Sequence, residues 1–252
     1  MSSLAEMYRP ARLEDVAGQD GALRQIRAVL ARGWGARAWW ITGPSGTGKT
    51  TLARIIARTG ADELAIEEID AQTLTPARLR DLEDGMAYRY LGEKSGRAFI
   101  VNEAHGLRKD TIRLLLVILE RLSAHVAFVF TTTKAGEARL FEDDESGDAS
   151  PLLSRCVEIT LKYDGTTERA FATRAKEIAM KEGIDGLPTS VYERAFSASA
   201  GNFRRVLQRI ESGAFRDDAR TALEKEFALL KSTKGPAAEA RRAELQKAIE
   251  TL

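Results

Sequence analysis

A single cysteine, Cys156, stands in the whole chain. One thiol closes no internal disulfide and builds no cysteine-based zinc site, which fits a reducing cytosol. Net charge is almost absent: 38 Lys and Arg against 37 Asp and Glu leave +1, so no bulk attraction draws the chain to DNA, RNA or a membrane surface, although a local basic face stays open. Long hydrophobic runs are missing as well. No stretch approaches the roughly 18 apolar residues of a membrane helix. The N-terminal Met1–Pro10 has no apolar core of signal-peptide length. These absences predict a soluble, cytoplasmic protein with no membrane partner. No internal repeat is visible. What is present is ordinary for a globular chain, 44% hydrophobic and 30% charged over 252 residues. That length suffices for one sizeable domain, or for a core domain with a smaller companion.

Periodicity divides the chain in two. Residues 1–20 read as irregular, punctuated by Pro10 and Gly18. Leu23, Ile26, Val29 and Leu30 then recur at helical spacing. Ala38–Thr42 is a short apolar run stopped by Gly43-Pro44, a buried strand. A helix with Leu52, Ile55 and Ile56 follows, then a strand over Leu64–Ile69, and a helix opened by Pro76, whose missing N–H does no harm there. Ala98–Val101 reads as a third strand, Leu107–Leu122 as a helix, Val126–Phe130 as a fourth strand and Val157–Leu161 as a fifth. Strands alternating with helices predict βαβ units, hence an α/β fold with a parallel five-stranded sheet. From about Thr166 the strand signals stop, and helices are expected over 166–182, 188–199, 202–213, 216–232 and 236–251. The expected division is a nucleotide-binding core over 1–162, a small all-helical lid over 163–215 and C-terminal helices over 216–252. Glu142–Asp148 reads as a mobile acidic loop, and Lys234-Gly235-Pro236 separates the last two helices.

Chemistry concentrates first in Gly43-Pro44-Ser45-Gly46-Thr47-Gly48-Lys49-Thr50, followed by Thr51. A triphosphate needs many donors and a close backbone approach. Glycines permit the required dihedrals and leave no side chain in the way. Their N–H groups, with the positive end of the next helix, face the phosphates. Lys49 reaches the outer phosphates and Thr50 offers a hydroxyl to Mg²⁺. Residue usage alone yields this pattern in at most about one chain of this size in a hundred. ATP and Mg²⁺ are therefore the expected ligands.

About 50 residues on, the third strand ends in Asn102-Glu103. A P-loop ATPase keeps its Mg²⁺-side and water-activating carboxylates in such a place. Glu103 stands where a base would orient the attacking water. Asn102 holds the place usually taken by aspartate and carries no charge. Alone, the pair also reads as a turn cap. His105 reads as a helix-start or packing residue. Thr131-Thr132-Thr133 follows the fourth strand, where hydroxyls reach the γ-phosphate side; threonine is also simply common in strands. Arg155 reads either as a solvated surface residue or as a finger inserted into a neighbouring subunit's site. Asn202 caps a helix whose first turn carries Arg204 and Arg205, against the dipole. The helix from Pro76 is expected to carry Arg78, Arg80 and Arg89 beside Asp81, Glu83 and Asp84, a mixed-charge solvated face.

Taken in order, these segments resemble the AAA+ ATPases, and within them the clamp-loader group of replication factor C small subunits and bacterial DNA polymerase III gamma/tau. Tyr8-Arg9-Pro10 with Glu14–Gln19, Val16 included, looks like that group's adenine-side motif. Gly43–Thr50 looks like its Walker A and Val101–Leu107 like its Walker B. Phe128–Thr133 looks like its sensor 1, with Thr133 as the matched residue. Ser154-Arg155-Cys156 looks like its Ser-Arg-Cys signature, and Gly201–Arg205 like its sensor 2, with Arg204 as the matched arginine. The likeness covers roughly residues 6–213. It implies an ATPase whose nucleotide lies between core and lid, with Thr133 and Arg204 at the γ-phosphate, Asn102 and Thr50 on the metal side and Arg155 acting on the next subunit. It also implies other AAA+ subunits, a sliding clamp and primed-template DNA as partners. Two of the group's parts are not matched: the four-cysteine zinc module is absent, and the helical collar domain would be missing or reduced to the last two helices.

Overall fold

The computed structural model describes residues 2–133, 136–137, 149–183, 187–231 and 235–251. The expected acidic loop Glu142–Asp148, Ser232 and Lys234 lie outside these. The chain forms two compact units, Pro10–Lys162 on one side and Met1–Arg9 with Tyr163–Leu252 on the other.

The first unit is built on a five-stranded parallel sheet: β1 (Arg37–Thr42), β2 (Ala61–Asp70), β3 (Gly96–Asn102), β4 (Val126–Thr132) and β5 (Cys156–Thr160), in spatial order β2-β3-β4-β1-β5. In a sheet covered on both faces, strands read as continuous apolar runs, and β1 shows why. Trp39 and Ile41 pack into one core with Ala22, Leu23 and Ile26 of helix α2 (Asp20–Leu30) and Leu52, Ile55 and Ile56 of α3 (Lys49–Gly60). Ala38 and Trp40 point the other way, into a second core with Leu79, Leu82 and Met86 of α4 (Pro76–Met86) and Ile112, Leu115 and Ile118 of α5 (Lys109–Glu120). Phe128 sits in that second core, its ring 5.0 Å from Phe99 and 5.9 Å from Phe130. The edge strand β2 is buried only at Ala61, Ala65 and Ile69 and leaves Leu64 exposed.

The second unit is helical. It contains α1 (Leu4–Met7), α7 (Gly165–Lys181), α8 (Thr189–Ala198), α9 (Phe203–Glu211), α10 (Ala214–Leu230) and α11 (Pro236–Thr251); α6 (Ala149–Ser154) belongs to the first unit. Phe171, Phe196 and Phe203 meet at its centre, with Phe171 and Phe203 edge to face at 5.2 Å. Gly201 lies at φ +75°, and a Cβ there would come within 2.3 Å of the Tyr163 ring. Only glycine fits this junction before α9. In the last hairpin, Arg241 donates to Glu226 at 2.9 Å, and Leu223 and Leu245 are buried.

Several sequence expectations are corrected. Residues 1–9 cluster with the helices rather than with the 1–162 core: Leu4 is buried and the Tyr8 hydroxyl donates to Glu182 at 2.6 Å. The first twenty residues are not all irregular, since they include α1 and a 3-10 turn at Leu13–Asp15. The helix expected over 107–122 is Lys109–Glu120, preceded by a 3-10 turn at Ala104–Gly106. Arg89 lies beyond the end of α4 and donates to Ser95. The short α6 was not anticipated from the sequence; Pro151 lies in its first turn, where proline is tolerated. Among the described residues no helix is long and apolar enough to cross a membrane.

Truncating Phe128 to alanine should cost about 3–5 kcal/mol of the stability of the α/β unit. Leu64→Ala, at a side chain 87% exposed, should stay within about 0.5 kcal/mol of the parent. Urea unfolding followed by tryptophan fluorescence separates the two, because Trp39 and Trp40 lie in the two cores.

Candidate nucleotide-binding site

β1 ends at Thr42 and α3 begins at Lys49; the six residues between them form a tight loop. Gly46 and Gly48 take φ of +78° and +99°, dihedrals that L side chains rarely adopt. Gly43 is excluded from substitution for another reason. A Cβ there would lie 2.8 Å from the Leu161 carbonyl oxygen, just beyond β5. The loop therefore leaves the sheet pressed against the neighbouring strand, and the Leu161 N–H donates to Thr42 O at 2.8 Å. The first turn of α3 presents N–H groups without helical acceptors, and with them a partial positive charge.

Lys49 is only 8% exposed. Its ammonium donates to the carbonyls of Gly43 at 3.1 Å and Pro44 at 2.9 Å, and the Thr47 hydroxyl donates to the same Pro44 carbonyl at 2.8 Å. The cation is thus folded into the loop that it would share with phosphate oxygens. Nothing lies within 4 Å of a Cβ built on Gly48, so there is open space at the helix start.

Thr50, next on α3, donates to Asn102 Oδ1 at 3.3 Å, and Thr131 of β4 donates to the same oxygen at 2.9 Å. The structure thereby brings together the loop threonine, the end of β3 and the end of β4. Asn102 Nδ2 donates to Glu68 Oε1 of β2 at 2.7 Å. Neither Glu68 nor the particular role of Thr131 was found from sequence.

Glu103 follows in the left-handed region, φ 52° and ψ 47°. A non-glycine residue in that conformation costs about 1–2 kcal/mol, and such strain clusters at functional sites. Its half-exposed carboxylate lies 3.5 Å from His105 Nδ1, which is also 3.1 Å from the Thr132 hydroxyl. His105 lies in the 3-10 turn after β3. The Thr133 hydroxyl accepts from Gly136 N–H at 3.0 Å.

The remaining candidates are dispersed. Arg155 is partly exposed; its Nη1 donates to Pro151 O at 2.9 Å and its Nη2 pairs with Glu120 at the end of α5. That guanidinium holds the Glu120 carboxyl below its ordinary range. Cys156 beside it packs against the second core, and burial, with the Glu158 charge, pushes its thiol up to about 12. Arg204 is exposed in the first turn of α9, in the helical unit, where Asn202 caps the helix by accepting from Arg205 N–H at 3.0 Å. The N-terminal motif is divided. Tyr8 and Arg9 belong to the helical unit, with Arg9 paired to Glu6, whereas Pro10 and Val16 belong to the α/β unit. Gln19 of that motif is buried, and its amide exchanges hydrogen bonds with the Lys162 backbone at 2.9 and 3.2 Å.

Comparison with known proteins shows what this geometry is similar to. Residues 40–140 match the family described as "ATPase family associated with various cellular activities (AAA)". That match covers most of the sheet and the phosphate loop, and marks this part of the chain as similar to AAA ATPases. Over a longer stretch the chain resembles proteins of the clamp-loader group. It is 27% identical over 231 residues to the DNA polymerase III subunit gamma of Buchnera aphidicola (subsp. Acyrthosiphon pisum), covering 82% of this chain and 60% of that one. It is 25% identical over 231 residues to the replication factor C small subunit of Haloarcula marismortui, covering 84% and 62%. It is 26% identical over 232 residues to the DNA polymerase III subunit tau of Bacillus subtilis, covering 83% and 39%. The chain thus spans less than two thirds of the length of each of these relatives. Among solved structures, the Thermotoga maritima RuvB Holliday junction branch migration motor superposes with a TM-score of 0.60 at 20% identity, covering 97% of this chain and 73% of that one, a likeness of fold.

The residues of this site fit a magnesium nucleotide. The Thr50 hydroxyl and the Asn102 amide oxygen are hard donors of the kind that Mg²⁺ takes, directly or through its waters, and the loop offers backbone N–H groups beside a buried ammonium.

Two outcomes test this local physics. Glu103→Gly should be about 1 kcal/mol more stable than Glu103→Ala in denaturant titration, because only glycine relieves the left-handed strain without cost. Cys156 should resist iodoacetamide at pH 8 in the folded protein and react promptly in urea, since its thiol ionises far above that pH.

Proposed function

We propose that this chain is a clamp-loader-like ATPase subunit that couples ATP binding and hydrolysis to placing a sliding clamp on primed DNA. The observation that carries the reading is the junction of the phosphate loop with the end of β3 through Thr50 and Asn102, in a chain whose similar proteins are named as DNA polymerase III gamma and tau subunits and replication factor C small subunits. In this reading Lys49 and the loop N–H groups hold the phosphates, and Thr50 with Asn102 holds the metal's side of the site. The metal, when bound, spreads the developing phosphate charge. Glu103 takes the proton of the attacking water as general base. Thr133 and Arg204 address the γ-phosphate. Tyr8, Arg9, Pro10 and Val16 lie on the adenine side. Arg155 acts in trans on the nucleotide of a neighbouring AAA+ subunit, leaving its pairing with Glu120 when a more negative phosphate is offered. Partner subunits, the clamp and primed-template DNA belong to the proposal.

Asn102 favours a second reading, in which the uncharged amide leaves turnover weak and the subunit uses nucleotide chiefly to assemble. Steady-state ATP hydrolysis, with and without primed-template DNA, decides between them. Glu103→Gln should keep nucleotide binding and lower turnover by about 10²–10⁴; unchanged turnover would mean that the base lies elsewhere. Arg155→Ala should lower turnover by about 10³ or more in a pure preparation. An excess of Glu103→Gln subunits, which keep Arg155, should restore hydrolysis at the Arg155→Ala sites; failure of that rescue would remove the trans role. Binding without hydrolysis in every mixture would establish the assembly reading.

A further inference from the structure

We infer that Glu68 supplies, through Asn102, the negative charge that a bound nucleotide's magnesium ion needs at the end of β3. The inference rests on the nucleotide-binding reading above and adds a positioning residue to it.

Asn102 stands at the metal side of the loop without a charge of its own. Its orientation is fixed by its neighbours. The hydroxyls of Thr50 and Thr131 can donate or accept, but the Glu68 carboxylate can only accept, so the amide nitrogen must face Glu68. The carbonyl oxygen is thereby turned toward Thr50 and Thr131, at 3.3 and 2.9 Å. The bond from Nδ2 to Glu68 Oε1, at 2.7 Å, is short and charge-assisted. Such a bond draws positive charge onto the amide nitrogen and leaves the oxygen on the loop side more negative.

Glu68 is itself held. Its other oxygen accepts from Arg54 Nε and Nη2, both at 2.8 Å, and each of the two side chains is 30% exposed. Arg54 lies on α3, one turn beyond Thr50. The carboxylate is therefore clamped between the helix that starts the phosphate site and the strand end that completes it. An aspartate at position 102 would set two carboxylates about 3 Å apart, which disfavours the ionised form of one of them. Asparagine beside glutamate keeps a single negative charge and a single hydrogen bond, displaced by one residue from the metal side.

The test uses the full chain and a fluorescent ATP analogue whose binding is titrated at increasing Mg²⁺, with an EDTA series for the metal-free nucleotide. Glu68→Gln is isosteric, keeps a hydrogen bond to Asn102 and removes only the charge. It should raise the Mg²⁺ midpoint about tenfold, the loss of one charge-assisted contact, with metal-free binding no weaker than that of the parent. The exchange E68Q/N102D puts the carboxylate at 102 and the amide at 68, and should return the midpoint to within about twofold of the parent. Arg54→Met breaks the ion pair but leaves Glu68 against Asn102, and should move the midpoint much less than Glu68→Gln does. A Mg²⁺ midpoint unmoved by Glu68→Gln overturns the inference. So does an Arg54→Met shift as large as that of Glu68→Gln, since the ion pair between β2 and α3 would then be what matters. A parent chain that binds no nucleotide at any Mg²⁺ concentration overturns the nucleotide reading itself, and this inference with it.

Discussion

Successive tryptophans on β1 face opposite ways, Trp39 into the core under α2 and α3 and Trp40 into the core under α4 and α5. A parallel sheet covered by apolar packing on both faces leaves no room for polar chemistry along its strands. Polar groups are therefore confined to strand ends, where backbone amides and short loops meet water. In this chain the crowded end is the carboxyl edge. Thr42, Asp70, Asn102 and Thr132 close four of the strands there, and the glycine-rich loop leaves from the same edge. The site follows from where the apolar packing stops.

The same confinement explains the strain. Glu103 turns out of a buried strand in a left-handed conformation, and Gly43 leaves β1 in van der Waals conflict with anything larger than hydrogen. Both are places where the chain must depart abruptly from a rigid edge. Burial of apolar side chains at about 25 cal/mol per Å² over two cores readily outweighs a penalty of one or two kcal/mol at each.

Much of this was legible in the residues. Three apolar runs predict the central strands β1, β3 and β4 because burial on both faces favours such a composition, and the loop announces itself through Gly46, Gly48, Lys49 and Thr50. Ends were less legible: β2 runs from Ala61 to Asp70 rather than Leu64 to Ile69, since an edge strand is held by backbone bonds that no side-chain pattern reports. Pairings across the sheet were not legible at all. Glu68 meets Asn102 across 34 residues, and Arg155 meets Glu120 across 35. Among three consecutive threonines, only the register of β4 decides that Thr131, not Thr133, faces Asn102. Register and long-range partners are properties of the assembled sheet. The assignment of Tyr8 to the helical unit is of the same kind, for it depends on Glu182, far along the chain.

Strand β5 joins two places with different prospects. Its far end reaches Leu161, packed against Gly43 at the mouth of the phosphate loop, while its near end follows directly from Arg155. Pairing with β1 from Cys156 opposite Ala38 to Thr160 opposite Thr42 makes it a strut of about 13–17 Å. The loop and the arginine therefore occupy opposite rims of one sheet. A contact that brings the arginine rim of one copy to the loop rim of the next has a head and a tail, and a pair joined in this way is left with one unspent head on one copy and one unspent tail on the other. Such a polar contact propagates instead of closing on a pair. If Arg155 serves a neighbour, the polarity of a single strand already sets the direction in which subunits must be strung.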